Sequence, residues 1–151
     1  MSQPLDPLAA QLLLRAYARA TNMLIAGRTF ATDDTELGSL LRAFGAHVTA
    51  APGREGGSAS SPVVFALDED ARPTPGTITV MAPGGRFRSV VAPDGRTITG
   101  PLDASRIEWA RSHMPVTEAA AAALSPLVAG RSVGIALVLE PKTAALALML
   151  A

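Results

Sequence analysis

Residues 132–151 constrain the fold of this chain more than any other stretch. From Ser132 to Leu139, Val133, Ile135, Leu137 and Leu139 alternate with smaller side chains. From Ala144 to Ala151, Leu146, Leu148 and Leu150 alternate with Ala145, Ala147, Met149 and Ala151. A period of two is the signature of a strand. Joining the two runs around Glu140-Pro141-Lys142-Thr143 sets Leu137 opposite Leu146 and Ile135 opposite Leu148. Bulky faces then coincide, and so do small ones, which is the agreement that fixes a hairpin register. Both faces are apolar, so this predicted C-terminal hairpin (132–151) is expected to be covered on both sides.

Upstream, the expected order is two helices, a run of strands, and two more helices. Asp6-Pro7 is a helix start, with a capping carboxylate before a proline at the first helical position. The helix is expected to run to about Ala26 and stop at Gly27, with Leu8, Leu12, Ala16, Arg19 and Met23 overlapping Leu5, Leu13, Tyr17 and Leu24 in one wide apolar stripe. Thr32-Asp33-Asp34-Thr35-Glu36 opens a second helix, with Thr32 and Thr35 or Asp33 and Glu36 at capping-box spacing, and Gly45 closes it. His47–Ala50 is a candidate short strand. Residues 51–61, rich in Gly, Ser and Ala, read as a flexible loop. Pro62–Leu67, Thr77–Ala82, Arg86–Ala92 and Arg96–Thr99 follow as strands, and the glycine-bearing turns at Gly84-Gly85 and Asp94-Gly95 indicate an antiparallel meander. Asp103 is expected to cap a helix carrying Ile107 and Trp109. Pro115 separates it from an Ala-rich helix running to about Val128. The fold class is therefore α+β. About six short strands form an antiparallel sheet against N-terminal helices and a central Ala-rich helix pair, within a single domain over 1–151.

Composition narrows function mainly by exclusion. The formal net charge is zero, so nothing draws the whole chain toward nucleic acid or an anionic membrane. There is no cysteine, hence no disulfide and no thiolate chemistry. Lys142 is the only lysine among the basic residues. With the alanine excess, this points to a GC-rich genome, and the chain reads as a bacterial or phage protein of the cytoplasm. No secretion signal is evident at the N-terminus. The apolar region beyond Ala119 is interrupted by Arg131, Glu140 and Lys142 before it reaches membrane-spanning length.

Candidate chemistry is sparse. Asp33, Asp34 and Glu36 lack the spacing of a calcium loop and suit the first turn of a helix. Arg86 and Arg88 flank Phe87 as strand alternation would place solvated side chains, with Arg96 on the next strand. Glu108 and His113 lie near Trp109 and could line a pocket between sheet and helices, as an acid-base pair. Their separation of five is poor for facing one another on a helix, and His113 fits a helix C-terminus better. No phosphate loop, dinucleotide fingerprint or nucleophile elbow occurs, and no cofactor or metal is expected. The element order resembles, at the level of fold alone, small α+β domains that act as secretion chaperones or dimeric adaptors. The expectation is thus a non-catalytic binding or assembly module whose partner is a second copy of itself or another protein. Ala121, Ala145, Ala147 and Met149 are its candidate contacts. The alternative is a small-molecule-binding or enzymatic domain around Glu108, Trp109 and His113.

Overall fold

The computed structural model describes residues 4–52, 63–101, 103–137 and 140–151. The fold is α+β, and the described residues form five α-helices and a six-stranded sheet. The chain divides into two compact units, Met1–Asp103 and Ala104–Ala151.

In the first unit, α1 (Pro7–Thr21) begins where the sequence places it: the Asp6 carboxylate accepts the Ala9 amide at 2.8 Å, with Pro7 at the first helical position. It ends five residues earlier than expected, at Asn22 rather than Gly27. Asn22 takes the left-handed conformation (φ 53°) and donates its amide to the Ala18 carbonyl. Beyond the expected end of the helix, Thr29–Ala31 forms β1, a strand not anticipated. Helix α2 (Thr35–Ala43) is capped by Asp34, whose Oδ1 accepts the Leu37 amide at 2.8 Å. Gly45 (φ 80°) closes it, donating to the Arg42 carbonyl while Ala46 donates to that of Leu41. These two hydrogen bonds satisfy two orphan carbonyls. Strand β2 (His47–Thr49) then returns to pair with β1.

The sheet order is β2-β1-β3-β4-β5-β6, with β3 at Val63–Ala66, β4 at Ile78–Met81, β5 at Ser89–Val91 and β6 at Thr97–Ile98. The expected antiparallel sheet is corrected in part. Strands β1 to β4 pair in parallel, and only β4-β5-β6 forms the antiparallel meander read from the Gly84-Gly85 and Asp94-Gly95 turns. Short turns enforce antiparallel pairing, whereas the longer connections around β1, β2 and β3 permit parallel crossovers. Nearly all of the 51–61 loop lies outside the described residues.

The register places Val48, Phe30, Val63, Phe65, Ile78, Val80, Val90 and Ile98 on one face. Helix α1 covers it. Tyr17 meets Phe30 edge-on (centroids 5.8 Å, 84°) and Phe65 at 5.9 Å, and Phe30 stacks on Phe65 at 5.9 Å. These three rings are buried and form the aromatic centre of a core otherwise built from aliphatic side chains. On the opposite face Thr79 is buried, and its hydroxyl accepts the Thr74 amide at 2.9 Å from the β3–β4 connection. A buried hydroxyl in the sheet is therefore satisfied locally.

Burial pushes the Tyr17 phenol up to about 12, the nearby Arg28 charge opposing this. The folded state thus holds the proton more tightly than the unfolded chain does. The associated stability is present below the ordinary phenol range and is lost as pH rises from about 10 toward 12. The expected loss across that window is roughly 2–3 kcal/mol. Urea midpoints should fall there in the native chain and much less in Tyr17→Phe. Equal falls in both would place the titration elsewhere.

The second unit holds α3 (Ser105–Ser112), α4 (Pro115–Val128) and α5 (Pro141–Leu150), with α5 packed on both other helices. Here the largest sequence expectation fails. The predicted hairpin over 132–151 is not formed: Ser132–Leu137 is irregular, residues 138 and 139 lie outside the described residues, and Pro141–Leu150 is a helix. Pro141 sits at the first helical position, and Ala, Leu and Met fill the segment after Thr143. These residues rank among the strongest helix formers and outweigh the two-residue alternation. A smaller expectation also changes. The Asp103 carboxylate accepts from the amide and hydroxyl of Thr99 (2.8 and 3.1 Å) instead of capping α3, which starts after Ala104 with no side-chain cap. Pro115 separates α3 from α4 as expected, and is itself the first residue of α4.

Candidate interaction surface

The candidate pocket residues sit together at the end of α3. Trp109 is buried, and His113, the residue that ends the helix, lies against the indole with centroids 4.5 Å apart and planes 31° apart. His113 Nδ1 is 2.9 Å from the Trp109 carbonyl, which can only accept, so Nδ1 carries the proton in that contact. The Ser112 hydroxyl donates to the same carbonyl at 2.8 Å. Both groups therefore close the last turn of α3, the helix C-terminal role expected for His113. Glu108 is exposed on the same helix. It acts electrostatically on Arg111, whose Nε and Nη2 donate to Glu118 Oε1 at 3.0 and 2.7 Å. That pair joins α3 to the first turn of α4 at the surface.

The acidic residues after β1 are engaged in the fold. Asp34 Oδ2 accepts the Leu5 amide at 2.8 Å while Oδ1 caps α2, and Asp33 Oδ1 accepts the Ala51 amide at 3.0 Å. Among the described residues no group of three or more His, Asp or Glu is placed to hold a metal ion. Arg86 and Arg88 are exposed, and Arg96 pairs with Asp94 at 3.1 Å across the β5–β6 turn.

The four small-residue contact candidates fall in three environments. Ala121 is the buried residue of α4 and Ala145 that of α5. Ala147 is exposed and Met149 half-buried. A strand would have shown Ala145, Ala147 and Met149 on one face; a helix turns residues two apart to different sides.

The larger signal in this unit lies in its big side chains. Val116, Leu124, Leu127, Val133, Leu137 and Leu148 are all exposed, Leu127 by 69% and Leu148 by 65%. Among the described residues of the unit, the buried hydrophobic ones are Trp109, Ala110, Ala121 and Ala145. Leu124 and Leu127 are neighbours on α4 by their spacing of three. Leu137 and Leu148, which the hairpin reading buried, are therefore surface residues. The sequence carried a hint of this: no ionisable side chain occurs in 119–130 or in 143–151, so no face of either segment is marked by charge as the outer one.

Among the described residues no helix is long and apolar enough to cross a membrane. Comparison with family models, with curated proteins and with solved structures finds no match to this chain.

Proposed function

We propose that the chain is a non-catalytic binding or assembly module that associates with a second copy of itself through residues 104–151. The observation that carries this reading is the inverted burial of that unit. Among its described residues the tryptophan and three alanines are inside, and the valines and leucines are largely outside. A short helical unit without disulfides has few internal means of stabilisation, and oligomerisation is one of the usual supplements. Exposed apolar surface of this extent marks contact sites in soluble proteins. The lack of charge across 119–130 and 143–151 also means little repulsion between like surfaces.

Sedimentation of the full chain should reveal a closed dimer or larger symmetric oligomer that dissociates on dilution, with a melting temperature that falls in step by mass action. Leu127→Ser combined with Leu148→Ser should give a folded monomer, since both side chains are on the surface. A wild-type monomer at high micromolar concentration, with a melting temperature independent of concentration, would overturn the proposal.

A further inference from the structure

Helix α1 is patterned on its outward side as well as its inward one. At 3.6 residues per turn, Leu8, Leu12, Arg15 and Arg19 fall within an arc of about 60°, on the side away from the buried Leu13, Leu14 and Tyr17. All four are exposed, Leu8 by 64% and Leu12 by 55%. Among the described residues neither the Arg15 nor the Arg19 side chain makes an ion pair or hydrogen bond. Their spacing of four, three and four is that of the seam of a helix pair. A cation in the last turn of a helix is favoured by the dipole, which accounts for Arg19 alone. It does not account for two leucines one turn apart on the same line. The helix itself contains no carboxylate to answer the two guanidinium groups.

We propose that this stripe docks an amphipathic helix of another protein, one with an apolar seam flanked by carboxylates that meet Arg15 and Arg19. Charge complementarity selects this occupant over a second copy of α1. A two-fold antiparallel pairing centred on the stripe sets Leu8 against Arg19 and Leu12 against Arg15, so every layer buries a guanidinium against a leucine. A parallel pairing stacks like charges. An acidic helix instead supplies apolar contact to Leu8 and Leu12 and counter-charge to the other two. The surface lies within Met1–Asp103, so the inference stands apart from self-association through 104–151.

The test uses the full chain and two labelled synthetic helices with leucine at the seam positions that meet Leu8 and Leu12, one carrying glutamates and the other lysines at the positions that meet Arg15 and Arg19, read by fluorescence anisotropy. The acidic helix should bind in the micromolar range and weaken with salt, and the basic one should not bind. Arg15→Glu with Arg19→Glu should lower affinity for the acidic helix at least tenfold and create binding to the basic one. Leu8→Ser with Leu12→Ser should abolish acidic-helix binding while the circular dichroism spectrum is kept. Equal affinity for both helices, or no binding of either, would overturn the inference. So would loss of self-association in the Leu8/Leu12 variant, which would make a second copy the occupant, or binding of anionic lipid vesicles in place of the acidic helix.

Discussion

Phe30→Ala is expected to destabilise the chain by about 3–5 kcal/mol, a large part of the stability of a domain this size. Phe30 is fully buried, with the edge of Tyr17 against it and the face of Phe65 beside it. Truncation loses the transfer free energy of the ring and leaves a cavity that a helix held on a sheet cannot easily close. It also removes two aromatic contacts from the only cluster of rings in the first unit among the described residues. Urea denaturation followed by circular dichroism should show the midpoint falling with little change of slope. Leu24→Ala serves as the control, because Leu24 is 79% exposed and its loss should move the midpoint very little. Comparable shifts from the two variants would mean that α1 does not cover this face of the sheet.

The same helix shows what the sequence could and could not reveal. Its start was legible because Asp6-Pro7 is a local signal, and the carboxylate meets the Ala9 amide as expected. The stretch from Thr32 to Glu36 was legible for the same reason, although Asp34 rather than its neighbours takes the cap. Strands β3 to β6 were legible from β-branched runs between glycine turns. Pairing direction was not, because nothing within β1 or β3 records which way its partner runs; that depends on how the intervening chain crosses the sheet. The outer stripe of α1 was hidden by a wide apolar stripe that merged Leu8 and Leu12 with Leu13 and Tyr17. Burial separates them into opposite sides. In the C-terminal unit, Leu and Ala alternate over 144–148 with a period of two, yet both are strong helix formers. Period and propensity disagreed there, and the period was the weaker guide because alanine fits either face of a helix.

That disagreement yields a second large effect. Ala145→Asp is expected to unfold α5 and strip α3 and α4 of their partner, at a cost above about 3 kcal/mol. Ala145 has no exposed surface, and α5 packs on both neighbouring helices. A carboxylate there would have neither water nor a counter-charge from α5, whose one ionisable side chain, Lys142, is exposed near its start. Ala147→Asp, two residues on, places the same charge on an exposed position and should leave the fold intact. Amide exchange in α5 and α3 separates the cases: protection should vanish in the first variant and persist in the second. A strand over 144–151 would have put both alanines on one face, and both substitutions would then do similar damage. A difference of a few kcal/mol between them is therefore a direct test of the helix. If Ala147→Asp also remains folded but no longer self-associates, the exposed side of α5 is part of the contact between copies.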